Sequence, residues 1–232
     1  TSGDTGKAAL EGFCGVEGVK IAVFYPNDGV SPMQQLQMVT QRGENVAVYA
    51  IEGNFDNAQT EVKKIFTDPG VIARLAERGT VLSSANSINW GRLVPQIVYY
   101  VYAYAKLYAN GEIEKDEKIN VVVPTGNFGN ILAAYYAKQM GMPVGKLICA
   151  SNQNDVLADF MKSGVYDANR NFYTTMSPSM DILISSNLER LLYELCGKDD
   201  LQVAAMMQEL KENRRYSISQ EMKAQLDADF WG

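Results

Sequence analysis

An aliphatic run from Ile119 to Val123 breaks into Pro124-Thr125-Gly126-Asn127-Phe128-Gly129-Asn130 and passes directly into a helical pattern from Ile131 to Met140. Strand, glycine-rich loop and helix in that order suit a main-chain cradle for a phosphate. Two glycines three apart let the backbone approach an anion with no Cβ in the way, and the helix aims its unpaired N–H groups at the charge. Two other segments are unusually rich in small and polar residues: Ser2-Gly3-Asp4-Thr5-Gly6 and Ser83-Ser84-Ala85-Asn86-Ser87-Ile88-Asn89. The first puts hydroxyls and glycines at a helix start, a place suited to a carboxylate. Thr5-Gly6-Lys7 is not a nucleotide P-loop, because Thr1 stands where that motif needs its first glycine and Ala8 where it needs Ser or Thr. Gly126-x-x-Gly129 is likewise too short for the dinucleotide fingerprint.

The composition narrows the chemistry further. There is no histidine in the 232 residues, which excludes Ser-His-Asp and Cys-His activation and histidine-bound zinc within this polypeptide. Proton transfer falls to lysine, a carboxylate, tyrosine or a cofactor. Cys14, Cys149 and Cys196 are far apart and set among apolar or small neighbours, as reduced and mostly buried thiols would be; no metal site is expected. A net charge of -6 without a basic cluster argues against a nucleic-acid partner. The longest apolar stretch, Leu93 to Tyr108, is interrupted by Pro95, Gln96 and Lys106 and falls short of the ~20 residues of a membrane span. A cytoplasmic protein with a small-molecule substrate is the expectation.

The elements that position these segments alternate between strand and helix. Val19 to Tyr25 reads as a strand, Pro32 to Arg42 as a helix capped by Ser31 and stopped at Gly43, Val46 to Ile51 as a strand, and Asp56 to Phe66 and Val71 to Glu77 as helices. After an irregular polar stretch come a tyrosine-rich helix from Leu93 to Ala109, the strand and loop already described, and a strand from Lys146 to Ala150. Helices are expected over Asn154 to Lys162, Met180 to Cys196, Leu201 to Asn213 and Ser219 to Phe230. The pattern predicts an α/β protein with mainly parallel sheets in two domains, a smaller one over residues 1–82 and part of a larger one over 83–232. Tyr99, Tyr100, Tyr102, Tyr104 and Tyr108 lie on several sides of one helix, which favours core and interface packing over a base-stacking surface.

Several long motifs resemble the threonine synthases. They are Ser2 to Ala9, Val23-Phe24-Tyr25-Pro26 with Asp28 to Pro32, Ser84 to Gln96, Pro124 to Asn130, and Ser177-Pro178-Ser179-Met180-Asp181-Ile182. The resemblance runs from Thr1 to about Leu195. It implies a fold-type II pyridoxal-phosphate enzyme of two α/β domains, which converts O-phosphohomoserine and water to threonine and phosphate. By the same resemblance, Gly126, Asn127, Phe128, Gly129 and Asn130 hold the phosphate of pyridoxal 5'-phosphate. Ser2, Gly3, Asp4, Thr5 and Gly6 form the turn that meets the substrate carboxylate and the cofactor face. Lys7, Ser84, Asn86, Ser87 and Arg92 are candidates for the substrate side, with Lys7, Ser84, Ser87 and Arg92 the choices for its phosphate.

In that family the lysine that holds the cofactor as a Schiff base lies upstream of the segment resembling Ser2 to Gly6, and further chain follows the region resembling Phe230 to Gly232. The expectation is therefore an internal fragment truncated at both ends, with no catalytic lysine of its own and no activity in isolation. Two other readings stay open: a related fold-type II enzyme such as threonine dehydratase or cysteine synthase, or a non-catalytic module that binds a phosphorylated metabolite. The sequence is silent on oligomeric state.

Overall fold

The computed structural model describes residues 3–53 and 55–232. They form two compact units, one reaching Asn86 and the other spanning Ser87–Gly232.

The first unit contains α1 (Gly3–Phe13), β1 (Ile21–Pro26), α2 (Pro32–Val39), β2 (Val46–Ile51), α3 (Phe55–Thr67) and α4 (Pro69–Ala76). β1 and β2 pair in parallel, from Ile21 opposite Val46 to Pro26 opposite Ile51. Parallel neighbours need a crossover, which α2 supplies. Its start follows the sequence closely: Ser31 accepts from the Gln34 N–H, Gln34 returns a bond to the Ser31 N–H, and Pro32 opens the helix. It ends earlier than expected, at Val39, where the Thr40 hydroxyl donates to the Leu36 carbonyl at 2.7 Å. Leu10, Val23, Tyr25 and Met38 form the core.

A larger departure is the start of α1. The resemblance makes Ser2 to Gly6 a turn, but Gly3 is already helical; Ser2 lies outside the described residues. The reason is packing: a Cβ on Gly3 would sit 2.2 Å from the Gln34 Cβ, so glycine lets the first turn of α1 press onto α2.

The second unit begins with α5 (Trp90–Ala109), β3 (Ile119–Pro124), α6 (Gly129–Gln139), β4 (Val144–Ala150), α7 (Val156–Ser163) and β5 (Val165–Asp167). A short 3-10 turn at Pro178–Met180 leads to α8 (Leu188–Leu195), α9 (Asp200–Asn213), β6 (Arg215–Ser217), α10 (Gln220–Asp229) and β7 (Phe230–Trp231). The sheet has the order β3-β4-β7 with both pairings parallel, and β5 and β6 form a separate antiparallel pair. Three short strands, β5, β6 and β7, have no counterpart in the sequence reading.

α6 is buried on most of its faces, with Ile131, Leu132, Ala133, Ala134, Tyr135 and Ala137 all enclosed. A helix apolar on nearly every side has to sit inside the unit, so its N-terminal loop is carried by a rigid element. α5 is different. Tyr99, Tyr102 and Tyr108 are exposed, so core packing does not explain them, whereas the Tyr100 hydroxyl donates to the Asn130 side chain. No helix among the described residues is long and apolar enough to cross a membrane.

The sequence also reads one continuous helix from Met180 to Cys196. The chain instead runs irregularly after Pro178–Met180 and becomes helical only at Leu188. Ile184 falls in helical spacing with Leu188, Leu191 and Leu195, but Ser185 and Asn187 are buried, and their side chains bond to the loop after β3.

Candidate functional site

The loop after β3 is built by pinning its carbonyl groups. The Thr125 N–H donates to Ala150 O at 2.8 Å and extends the β3–β4 ladder by one residue. Beyond it, the Gly126 carbonyl accepts from Ser185 Oγ at 2.9 Å. The Asn127 carbonyl accepts from Asn187 Nδ2 at 2.8 Å and from the Asn187 N–H at 3.2 Å. The Phe128 carbonyl accepts from the Leu132 N–H at 3.1 Å, the first closed turn of α6. In a trans peptide the C=O and the next N–H point in opposite directions. Anchoring these carbonyls therefore turns the N–H groups of Asn127, Phe128 and Gly129 away from the body of the unit.

None of the backbone N–H groups from Gly126 through Ile131 donates a hydrogen bond to a described residue. Some of these belong to the first turn of α6, which always leaves donors unsatisfied. The others belong to the loop itself. The result is a continuous row of donors backed by the positive end of a helix, an arrangement that takes an anion rather than a cation.

Phe128 holds the turn. It sits at φ +62° and ψ 2° as the N-cap of α6, without a side-chain cap. For a bulky residue this left-handed conformation costs roughly 1–3 kcal/mol. Its ring is 1% exposed and lies 5.9 Å from the Phe230 ring, so core packing outweighs the strain. Only the main chain of Phe128 is available to a ligand. Asn130 is similarly committed through its side chain, which accepts from Tyr100 Oη at 2.6 Å and donates to Gln96 Oε1 at 2.9 Å. Burial pushes the Tyr100 hydroxyl up to about 12, so it remains a neutral donor.

The two glycines differ. A Cβ on Gly126 would lie 3.1 Å from the Ser179 carbonyl oxygen and 3.3 Å from the Met180 Cα, so a side chain there would press on the backbone of that segment. A Cβ on Gly129 would meet only Asn187 Nδ2, at an ordinary 3.5 Å. Packing leaves room for a side chain at Gly129.

The wall against Gly126 is fixed by a polar network. The Asp181 carboxylate accepts from Asn152 Nδ2 (2.7 Å), Asn154 Nδ2 (3.1 Å), the Thr175 N–H (2.8 Å) and Thr175 Oγ1 (2.7 Å). Asn152 Nδ2 also reaches Ser177 Oγ at 2.9 Å. These bonds tie the Thr175 to Asp181 segment to the chain just beyond β4.

The other residues singled out from the sequence fall into two groups. In the first unit, Gly3, Asp4, Thr5 and Gly6 make the first turn of α1, and Asp4 Oδ1 accepts from Gln34 Nε2 at 3.0 Å. The Lys7 ammonium is paired with Glu11 at 2.6 Å and bonded to Gln41. Ser84 Oγ accepts from the Asn86 N–H at 3.1 Å. In the second unit, the Ser87 carbonyl accepts from Asn187 Nδ2 at 3.1 Å. Arg92 lies in the first turns of α5, half-buried, and burial lowers its guanidinium from the ordinary value while remaining in its charged range. The cysteines are all unpaired. Cys149 is buried and its thiol is pushed up to about 11, opposed by a bond with Thr125, whereas Cys14 and Cys196 are only half-buried.

Ser185, Ser186 and Asn187 are the functional residues that the sequence reading missed. Ser186 Oγ donates to Asn127 Oδ1 at 3.2 Å, so all three hold the loop. The triplet has the same small, polar composition as the three segments selected from sequence, and that was the available signal.

No family model matches the chain. Among curated proteins, human Threonine synthase-like 1 is 46% identical over 237 residues, covering 99% of this chain and 32% of that protein. The Saccharomyces cerevisiae threonine synthase is 42% identical over 239 residues, covering 99% of this chain and 45% of that one. Among solved structures, the crystal structure of PLP-bound threonine synthase from Brucella melitensis superposes with a TM-score of 0.86 at 45% identity, covering 100% of this chain and 47% of the other. The chain thus spans less than half the length of each of these proteins.

Proposed function

We infer that this chain, which belongs to the threonine synthase family, carries the cofactor-phosphate loop of a lyase that converts O-phosphohomoserine and water to threonine and phosphate. Its α/β fold with mostly parallel sheets is that of the fold-type II pyridoxal-phosphate enzymes. The observation that carries the reading is the row of unspent N–H groups from Gly126 to Ile131 beside a glycine whose missing side chain serves no internal packing.

The residues present fit pyridoxal phosphate. The main-chain donors of Gly126, Asn127, Phe128, Gly129 and Asn130 would hold its phosphate. Ser2, Gly3, Asp4, Thr5 and Gly6 would meet the substrate carboxylate and the cofactor face, and Lys7, Ser84, Asn86, Ser87 and Arg92 would serve the substrate side. When bound, the cofactor supplies an electron sink that stabilises negative charge beside the substrate nitrogen. The chain's own contribution is positional: fixed amides neutralise a dianion at little reorganisation cost, and the guanidinium of Arg92 adds a positive charge for a second phosphate. No lysine of this chain is assigned to bind the cofactor. The second unit is then part of the larger, cofactor-phosphate domain, in a cytoplasmic biosynthetic enzyme.

The test compares the protein of full family length with the 232-residue chain, assaying phosphate release from O-phosphohomoserine and turnover of threonine and O-acetylserine. The full protein should release phosphate and form threonine, and the chain alone should do neither. Preference for threonine or O-acetylserine, or threonine formation by the chain alone, would overturn the reading.

A further inference from the structure

Asn187 is fully buried, yet it makes contacts that its own helix does not need. It sits at the N-cap of α8 with no side-chain cap bond, so its carboxamide is directed elsewhere. Nδ2 donates to Asn127 O at 2.8 Å and to Ser87 O at 3.1 Å. A carboxamide has two donor hydrogens, and each goes to a different stretch of chain. Oδ1 accepts from the Arg190 guanidinium, which settles which end of the amide is nitrogen. The same guanidinium donates to Ile88 O at 2.7 Å and lies 5.9 Å from the centre of the Trp90 ring.

One side chain thus bridges the phosphate loop at Asn127 and the segment Ser87 to Trp90 at the entry of α5. Ser185 offers a contrast. Its hydroxyl pins the Gly126 carbonyl at 2.9 Å and its N–H donates not to the Ser87 segment but takes its bond with Tyr166 Oη at 3.0 Å. Ser185 acts on the loop alone, whereas Asn187 acts on the loop and on the Ser87 segment together.

We propose that Asn187, oriented by Arg190, is a positioning residue that sets the distance between the cofactor-phosphate loop and the substrate-facing Ser87 segment. The proposal rests on the reading of the loop and of Ser87 given above. Asn187 touches no reacting group. It acts by directing the Phe128 N–H toward the anion through the Asn127 carbonyl and by holding the Ser87 backbone at the same time.

The experiment uses the full-length protein, with cofactor affinity measured by titration with pyridoxal phosphate and KM for O-phosphohomoserine measured at saturating cofactor. Asn187→Asp keeps the shape and the Arg190 contact but places an oxygen against both carbonyls. It should weaken cofactor binding and raise KM, each about tenfold, the scale of one lost hydrogen bond of this kind. Ser185→Ala should weaken cofactor binding alone. Should Asn187→Asp fail to fold, Arg190→Gln, at a half-buried site, should move both quantities in the same direction by a smaller factor. Gly129→Ala reports on the loop itself: if it leaves cofactor affinity unchanged, the reading of the loop fails. If Gly129→Ala weakens binding while Asn187→Asp and Arg190→Gln change only cofactor affinity, or neither quantity, the bridging role is overturned and the loop reading stands.

Discussion

Replacing the two loop glycines by alanine, one at a time, separates what the fold needs from what a ligand needs. Neither glycine has a positive φ, so alanine meets no backbone penalty at either position. At Gly129 the new methyl would find Asn187 Nδ2 at 3.5 Å, an ordinary contact, and the residue lies in the first turn of α6. Alanine there should leave stability unchanged or raise it by up to ~1 kcal/mol, the helix-propensity difference. On the cradle reading, an anion held by the neighbouring amides would share that space with the methyl. Displacing an anion from one charge-assisted N–H bond forfeits ~1.5–3 kcal/mol, or about 10- to 100-fold in affinity.

At Gly126 the methyl would meet backbone atoms, 3.1 Å from Ser179 O and 3.3 Å from Met180 Cα. That wall is held by the Asp181 network and has little freedom to retreat. Overpacking of this kind costs ~1–3 kcal/mol, so Gly126→Ala should lose stability and affinity together. The assays are thermal unfolding without ligand and titration with pyridoxal phosphate and inorganic phosphate. A Gly129→Ala protein that is as stable as the parent and binds both ligands equally well would refute the cradle.

Three other outcomes are expected. Phe128→Gly should be less destabilising than Phe128→Ala by ~1 kcal/mol, reversing the usual helical order, because glycine relieves the left-handed strain while both lose the buried ring; urea unfolding of both variants checks it. Asp181→Ala should cost ~2–4 kcal/mol by leaving Asn152, Asn154 and Thr175 donors without their acceptor, and should also weaken phosphate binding as the Ser179 wall loosens, measured by unfolding and by titration. Burial raises Cys149 from 9.0 to about 11, and Tyr100 and Tyr135 from 10.0 to about 12. The folded state therefore keeps protons that the unfolded chain releases, so this stability is complete below about pH 9 and declines between about pH 9 and 12. A midpoint that stays constant across that window would contradict the burial of these groups.

Regular elements with strong local signals were legible in the sequence. β2 runs Val46–Ile51 in both readings, and the Ser31-Pro32 start of α2 carries its own capping chemistry. α6 begins two residues earlier than its apolar pattern suggests, at Gly129 rather than Ile131, because its first turn is formed by the loop residues themselves. The pairs that involve β5, β6 and β7 were not legible. Strands of two or three residues hold too few positions to display an alternation, and tertiary pairing decides them.

The candidate site divides along the same line. Donor groups that belong to the loop could be read from Gly126, Asn127 and Gly129, because glycine spacing is a local property. The acceptor side, by which the Gly126 and Asn127 carbonyls are anchored, depends on Ser185 and Asn187, which are ~60 residues away in sequence and lie between Ile184 and Leu188, where the apolar spacing continues that of α8. Within the loop itself no hydrogen bond points the amides outward, and a trans peptide rotates as a unit. The orientation is imposed from the Ser185-Ser186-Asn187 segment, and the loop sequence alone specifies only that the close approach is sterically open. Swapping the loop into another strand-loop-helix without that segment should therefore transfer the glycines but not the phosphate affinity, a result that titration of such a graft with inorganic phosphate would decide.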